Sequence, residues 1–206
     1  MSVISLLGSK GEKKNMFDIF APWYDEFRKV IDSGEVREIT KEIKNLEKNK
    51  QKPLEVLDVG GGTGNHWDVG SHAMVNLYLL DRNRSMLSES ESDVDPVQGD
   101  VNSLPFEDDF FDIVICVDAL HHFQDRKKSL KEMERVSKTG GYIFVADFDP
   151  NNFLTKMISV GEMILGEPGR FMKIETLDEF FQKRDYDTEK IDFTPYFYLF
   201  KSRKLG

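Results

Sequence analysis

The stretch that decides the fold runs from Pro53 to His66 and reads PLEVLDVGGGTGNH. Its first residues, Leu54 to Val59, form a short apolar run that predicts a buried strand of a parallel sheet. Dense glycines follow, which let the backbone adopt positive φ and let a ligand approach the main chain. These glycines are Gly60, Gly61, Gly62 and Gly64. With a short helix expected over about 65–71, the pattern predicts a nucleotide site at the carboxyl end of the sheet.

The glycine spacing narrows the class of nucleotide. A G-x-G-x-x-G dinucleotide fingerprint would place its third glycine at Asn65 or Trp67, and neither residue fits. Instead, Asp58 stands two residues before G-x-G-x-G. This pattern resembles the first motif of the Rossmann-like S-adenosylmethionine (AdoMet) methyltransferases. The resemblance implies that the glycines pass under the methionine part of AdoMet and that Asp58 helps to hold its ammonium group. The alternative is that these glycines form only a tight turn after a strand.

Composition limits the classes of protein that fit. A chain of 206 residues, 39% hydrophobic and 32% charged, is typical of one soluble globular domain. A net charge of -9 argues against broad nucleic-acid binding, although a local basic patch stays open. The single cysteine, Cys116, lies in an apolar run and is expected to be a buried core thiol. We expect no signal peptide, no membrane span and a cytoplasmic enzyme.

The N-terminal segment 15–25, NMFDIFAPWYD, concentrates aromatic residues. Small-molecule members of the family often begin with a similar pair of motifs, here Phe17-Asp18 and Tyr24-Asp25. The resemblance implies a lid over cofactor and substrate, with Tyr24 reaching the cofactor. The alternative is a helix that packs its apolar face on the domain. After it, Val30 to Lys52 has apolar residues at helical spacing and predicts an amphipathic helix.

A second strand is predicted from Val75 to Leu80, ending at Asp81. An acid at this position typically accepts hydrogen bonds from the ribose hydroxyls of a nucleotide. NAD-binding proteins share this spacing, so it indicates a nucleoside ligand more than AdoMet in particular. The following DRNRSML resembles the family's entry to its second helix. That resemblance adds Arg82 and Met86 to the expected cofactor-binding residues, with Met86 close to the adenine. Ordinary helix packing is an equal alternative for Met86.

A third strand is predicted to start at Val97 and to close at 99–101. The run GDVNSLPFEDDFFDIV, residues 99–114, resembles a second signature of the family. It implies that Asp100 accepts a bond from the exocyclic amine of adenine. It also implies that the backbone N–H of Val101 bonds a ring nitrogen. Leu104 and Phe106 are expected either to form a wall of this pocket or to pack in the core.

The fourth strand is predicted over 111–117 and is followed by Asp118-Ala-Leu-His-His. Its carboxyl end falls at the same sheet edge as the glycine loop. Asp118, His121 and His122 are therefore the candidate catalytic residues, and Asp118 is also expected to bind the cofactor. A histidine suits a general base because its pKa lies near neutrality, but a packed structural histidine is equally open. No metal is expected, because nothing nearby in the sequence completes a ligand set.

The remaining chain predicts a helix, a glycine turn at 138–141, a fifth strand over 142–146, two helices and a final hairpin. The helix, the turn and the fifth strand together resemble the corresponding part of the family, in residues 129–148, SLKEMERVSKTGGYIFVADF. The two later helices are expected over 152–165 and 176–183, the second with a capping box of Thr176 and Glu179. The last strands are expected over 188–193 and 196–201. The resemblance implies that the segment before the second of these helices helps to build the acceptor pocket. Its apolar residues Met157, Met163, Phe171 and Met172 are expected to line that pocket or to fill the core.

Together these patterns predict an α/β fold: a Rossmann-like, mostly parallel seven-stranded sheet with helices on both faces and an antiparallel edge hairpin. One domain, 1–206, would comprise an arm and lid (1–52), a cofactor core (53–148) and an acceptor-side region (149–206). The resemblance, closest to small-molecule enzymes that methylate quinones, implies methyl transfer from AdoMet by in-line displacement, leaving S-adenosylhomocysteine. The alternatives are a methyltransferase for RNA or protein, or a non-catalytic AdoMet-binding protein. Neither acceptor nor oligomeric state follows from the sequence.

Overall fold

The computed structural model describes residues 34–48, 50–64, 67, 74–90, 94–165 and 169–206. They form a seven-stranded sheet in the order β3-β2-β1-β4-β5-β7-β6. The strands are β1 (Leu54–Val59), β2 (Val75–Asp81), β3 (Asp95–Gln98), β4 (Phe111–Val117), β5 (Ser137–Phe148), β6 (Tyr186–Thr194) and β7 (Phe197–Lys204). Strands β1 to β5 run parallel, and β7 runs antiparallel to both β5 and β6. This confirms the expected sheet with an antiparallel edge hairpin.

Helices cover both faces of the sheet, as predicted. They are α1 (Glu35–Glu47), α2 (Arg84–Leu87), α3 (Arg126–Val136), α4 (Phe153–Leu165) and α5 (Ile174–Gln182), with a 3-10 turn at Leu120–His122. On one face, α1 packs through Ile39 and Ile43 with the even-numbered apolar residues of β1. On the other face, Leu130 of α3 and Phe181 of α5 join the opposite side of β1.

Strand β4 explains why the central part of the sequence reads as a continuous apolar run. Its side chains alternate between the two cores, with Ile115 on the α1 side and Val114 and Cys116 on the α3 side, all fully buried. A parallel strand covered on both faces needs apolar residues at nearly every position. The expected buried thiol of Cys116 is thereby confirmed.

One local prediction fails at the junction of α3 and β5. Helix α3 ends at Val136, and Ser137, already extended, is the first residue of β5. The predicted glycine turn over 138–141 is therefore wrong, because these residues belong to the strand. A register shift between Phe111 and Ile113 accommodates them. Gly141 approaches its neighbours so closely that an added Cβ would lie 2.8 Å from the Lys138 carbonyl oxygen.

The predicted capping box of α5 is also wrong. The helix begins at Ile174, with Lys173 at the N-cap and no side-chain cap bond. Thr176 therefore lies inside the helix, because apolar burial of Leu177 and Phe181 sets its extent rather than the cap pattern. Strand β3 likewise begins earlier than predicted, at Asp95, and ends at Gln98, so that 99–101 forms a loop beyond the strand.

Other predictions fall partly outside the described residues. The aromatic segment 15–25 with Tyr24 lies outside them, as do all but one residue of the expected helix at 65–71. Helix α1 is shorter than the predicted 30–52, and residues 30–33 are outside the described part. Within the part of the chain that the structure describes, no helix is long and apolar enough to cross a membrane.

Candidate functional site

A cavity of about 480 Å³ opens where the carboxyl ends of β1, β2 and β4 meet. In the strand order, β1 lies between β2 and β4, so this edge is the topological switch point at which open α/β sheets bind ligands. Nine predicted site residues line it: Gly60, Gly62, Asp81, Arg82, Met86, Asp100, Val101, Asp118 and His122. Sequence reasoning missed seven others: Asn83, Gln98, Gly99, Asn102, Ala119, Phe123 and Gln124.

The glycine loop forms the floor of this cavity. The amides of Gly60 and Gly61 both donate to the carbonyl oxygen of Leu80, at 2.7 and 3.2 Å, and so fasten the loop to β2. Gly60 has φ 75°, and an added Cβ would lie 2.8 Å from the Cβ of Ala119. Gly62 has φ 61°, and its added Cβ would meet the Met86 methyl at 3.0 Å. A side chain at either position would fill the space that a ligand needs.

The remaining members of the first motif lie beneath the loop rather than at the cavity. Asp58 is only 1% exposed, and its Oδ2 accepts a hydrogen bond from the Trp67 indole at 2.7 Å. Gly61 and Gly64 pack against Leu79. Asp58, Gly61 and Gly64 therefore shape the loop in this structure. Their direct contact with a cofactor stays a prediction.

Asp81 joins the tip of β2 to the loop. Its Oδ2 accepts from the amide of Gly62 at 3.1 Å, and its Oδ1 accepts from the amide of Asn83 at 2.7 Å. Burial raises the pKa of Asp81, and the N–H bonds from Asn83 and Gly62 partly oppose that shift. Each carboxylate oxygen still has acceptor capacity, so the group can receive a pair of vicinal hydroxyls.

The loop after β3 forms the opposite wall. Oδ1 of Asp100 accepts from the amide of Asn102 at 2.8 Å, which closes a tight turn at the cavity rim. Asn102 in turn accepts from the Ser129 hydroxyl of α3 at 3.1 Å and anchors the loop. Leu104 is buried in the core, and Phe106 packs edge-on against Phe111, with centroids 4.8 Å apart. Of the two roles expected for Leu104 and Phe106, the structure supports core packing.

At the end of β4, Asp118 adopts a left-handed conformation with φ 53°, which is uncommon for a residue other than glycine. Its amide donates to the carbonyl oxygen of Ala146 at 2.9 Å, which holds the turn against β5. Strained residues of this kind collect at functional sites when the surrounding structure fixes them. Asp118 lines the cavity directly after its strand.

His121 turns away from the cavity and forms a buried pair with Asp147, the penultimate residue of β5. Its Nδ1 lies 2.7 Å from Oδ1 of Asp147, and its amide donates to Oδ2 at 3.2 Å. Burial opposes the charged imidazolium, but the adjacent Asp147 carboxylate outweighs it and raises the pKa of His121 to about 10. The sequence signal for Asp147 was its place at the end of a parallel strand.

His122 lines the cavity and differs from its neighbour in charge. Burial, together with the positive charges of His121 and Arg82, lowers its pKa to about 3. The two imidazole rings lie 4.0 Å apart, so a charge on His121 directly disfavours a second one on His122. His122 is therefore neutral at pH 7.

Helix α4 brings an unpredicted carboxylate to the two histidines. Oε1 of Glu162 lies 3.5 Å from Nε2 of His121 and 3.9 Å from Nε2 of His122. Phe171 stacks on His121, with centroids 4.4 Å apart. In contrast, Met157 and Met163 are 58% and 61% exposed, so they line neither the cavity nor the core, and Met172 is a core residue.

The fold and the cavity define an α/β protein with a Rossmann-like sheet and a candidate ligand site at its switch point. A family model described as a methyltransferase domain matches residues 57–145. Those residues belong to the Rossmann-like, AdoMet-dependent methyltransferase family. This confirms the resemblance that the three sequence motifs carry.

Named relatives extend this similarity beyond the motif region. The chain is 34% identical to a demethylmenaquinone methyltransferase of Renibacterium salmoninarum over 156 residues, covering 74% of this chain and 65% of the relative. A ubiquinone/menaquinone biosynthesis C-methyltransferase of Vibrio vulnificus is 36% identical over 45% of this chain and 40% of that one. The chain thus spans less than two thirds of these relatives.

A solved structure supports the fold over nearly the whole length. It is a putative AdoMet-dependent methyltransferase from Methanococcus maripaludis, with a TM-score of 0.67 and 19% identity. The match covers 96% of this chain and 98% of that one.

Proposed function

We propose that this protein transfers a methyl group from AdoMet to a small-molecule acceptor. The observation that carries the proposal is the cavity itself, where a side-chain-free glycine floor faces the Asp81 carboxylate at the switch point. Its volume falls within the range of roughly 300–1,000 Å³ that is usual for small-molecule sites. The methyltransferase-domain match over 57–145 supports the same conclusion.

Residues of the cavity fit the parts of AdoMet one by one. Gly60 and Gly62 leave room for the ligand beside the main chain, and Asp81 offers acceptor oxygens for the ribose hydroxyls. Met86 and Val101 supply apolar surface for the adenine, with Asp100 at the rim to accept from its amine. These roles rest on the chemistry of the residues that line the cavity.

Methyl transfer requires little acid–base catalysis by the protein. When bound, AdoMet supplies a methyl group on a positively charged sulfonium, which an acceptor atom can attack directly. The chain's own part is to orient the acceptor and exclude water. Asp118 and His122 line the cavity from the end of β4 and are our candidates for orienting the acceptor. His121 lies behind them and acts through its packing, and a base is needed only for an acceptor that must lose a proton.

The acceptor class that we favour is a small aromatic molecule of the quinone type. Relatives named demethylmenaquinone methyltransferase support this choice. The net charge of -9 favours a small molecule over nucleic acid.

Calorimetric titration with AdoMet and with S-adenosylhomocysteine tests the cofactor. We expect both to bind the native chain and the control Asp187→Ala, which changes an exposed residue of β6, and to bind Asp81→Ala at least tenfold more weakly. A folded native chain that binds neither ligand would overturn the proposal. Once binding is established, transfer of labelled methyl to a reduced naphthoquinone tests the acceptor class separately.

A further inference from the structure

The cluster beside the cavity contains a ligand set of which the proposed methyl transfer uses only His122. Within the described residues, His121, His122 and Glu162 each place one ligand atom within 4.8 Å of the other two. We propose that these three residues form a binding site for a divalent cation, with Zn²⁺ as the ion that best suits them. Two imidazole nitrogens and one carboxylate oxygen are a donor set typical of zinc sites that keep a fourth position open.

The two distances from Glu162 to the imidazole nitrogens require only a small closure. In a tetrahedral site with bonds of about 2.0–2.1 Å, ligand atoms lie roughly 3.3 Å from one another. Oε1 of Glu162 is already 3.5 Å from Nε2 of His121 and 3.9 Å from Nε2 of His122. Shifts of well under an ångström in these side chains would therefore bring Glu162 to coordination distance from an ion shared with either histidine.

The surrounding residues hold the ligands in place, as in known metal sites. Asp147 accepts from Nδ1 of His121 at 2.7 Å, which directs Nε2 towards Glu162. A ligating histidine usually donates its second ring N–H to such a carboxylate. The other oxygen of Glu162 accepts from the amide of Gly169 at 3.1 Å, and the amide of Arg170 donates to the carbonyl oxygen of His121 at 2.8 Å. A strand, a 3-10 turn, a helix and a loop thus converge on one point.

Charge also favours a cation here. Asp147 is fully buried and Glu162 is largely buried, with 15% of its side chain exposed, and Asp118 adds a third carboxylate close to His121 and Asp147. A buried group of carboxylates needs positive charge nearby. A proton on Nε2 of His121 can supply one unit, whereas a divalent ion supplies two. The ion and the proton compete for this nitrogen, because only an unprotonated imidazole can coordinate a metal.

The position of His122 places the ion at the cavity wall. His122 lines the cavity, whereas His121 and Glu162 approach from behind it. A fourth ligand would therefore come from the cavity side, and a hydroxyl or carboxylate oxygen suits a zinc ion there. This site shares no residue with Asp81 and the glycine floor, so its occupancy can be tested without AdoMet.

Titration of the metal-stripped 206-residue chain with Zn²⁺ alone tests the site. We expect one ion per chain with micromolar or tighter affinity, and Co²⁺ should give the visible absorption of a four-coordinate ion. Glu162→Gln and His122→Gln should each weaken Zn²⁺ at least tenfold and abolish the Co²⁺ band. Asp147→Asn should weaken Zn²⁺ by about 10–100-fold, because the supporting carboxylate is lost.

Matched variants separate this site from binding elsewhere. Glu175→Gln changes an exposed glutamate in the first turn of α5, and His66→Gln/His72→Gln removes the only other histidines of the chain. Both should leave Zn²⁺ affinity and the Co²⁺ spectrum unchanged. The proposal is overturned if no ion binds to the folded native chain, or if Glu162→Gln and His122→Gln bind it as the native chain does. AdoMet titration of the same samples reports the proposed function independently.

Discussion

The two ends of the central strands use carboxylates in opposite ways. At the amino end, Asp112 of β4 accepts from Lys138 at 2.7 Å and from Lys50 at 2.9 Å, and it also accepts from the amide of Glu55. At the carboxyl end, Asp81 is held by two backbone amides beside a cavity. The lysines lower the pKa of Asp112 against the effect of burial, whereas burial raises that of Asp81. An acid neutralised by its own chain stabilises the fold, while an acid left with acceptor capacity in a cavity serves a ligand.

Glycine substitutions should give the largest contrast between the two ends. Gly60 and Gly140, near the start of β5, have similar φ values of 75° and 78°. A Cβ at Gly60 would lie 2.8 Å from Ala119, whereas a Cβ at Gly140 meets nothing within 4 Å. We therefore expect Gly140→Ala to cost only the backbone penalty of about 1–2 kcal/mol. Gly60→Ala should cost more and weaken AdoMet binding more than tenfold.

Chemical denaturation and calorimetry measure the two glycine effects separately. Equal losses of stability in both variants would show that crowding at Gly60 is relieved by a shift of Ala119. Native AdoMet affinity in Gly60→Ala would contradict the role of this loop as the floor of the site.

Exchanging each acid for its amide tests the comparison directly. Asp81→Asn should weaken AdoMet binding by about 1.5–3 kcal/mol, the usual contribution of hydrogen bonds to a charged group. Asp112→Asn should leave the affinity unchanged and destabilise the chain by about 1 kcal/mol, because the lysine partners are partly exposed and screened. Loss of affinity in Asp112→Asn with full stability would reverse our assignment of the two ends.

The pH dependence of stability should have opposite signs at the two acids. Asp112 has a lowered pKa in the folded state, so its stabilising contribution is present above pH 3.8 and is lost as the pH falls through its folded pKa. Asp81 has a raised pKa, so its ionisation disfavours folding above that pKa, and the cost disappears as the pH falls. The difference in unfolding free energy between the native chain and each Asn variant, measured from pH 7 to pH 3, should therefore shrink for both acids. At pH 7, Asp112→Asn should be less stable than the native chain, whereas Asp81→Asn should be equally stable or more stable. A shared sign would contradict the comparison.

Much of the fold was predictable because the central strands are buried on both faces. The apolar runs of β1, β2 and β4 each predict a buried strand, and the ends of these strands were predicted to within one residue. The start of β5 was missed because Lys138 and Gly140 look like a turn in sequence. Only the pairing of Phe111 with Ser137, a contact between distant residues, makes that segment a strand.

The candidate site was predictable where its residues directly follow parallel strands in the sequence, because the ends of those strands lie together in the fold. Residues directly after β1, β2 and β4 line the cavity, as the rule for parallel sheets requires. Asp147 and Glu162 were missed because they meet His121 only through the packing of β5 and α4. The lack of a third metal ligand near the histidines in sequence therefore says nothing about the folded chain. Asp58 shows the converse, since it stands at a motif position that predicts cofactor binding while its Oδ2 accepts a hydrogen bond from the Trp67 indole.

The smallest expected effects concern the starts of α3 and α5. At the start of α3, a further acid can be compared with Asp112. Asp125, at the N-cap of α3, accepts from the amide of Lys128 at 3.0 Å, so its acceptor capacity serves the fold, as that of Asp112 does. Asp125→Ala should therefore cost about 1 kcal/mol of stability without changing AdoMet affinity.

Thr176→Ala should cost nothing or stabilise slightly, because Thr176 lies inside α5, where alanine is the better helix former. Urea unfolding of both variants measures the difference. A loss of about 1 kcal/mol in Thr176→Ala would mean that the threonine caps the helix after all, and that α5 begins three residues later than this structure places it.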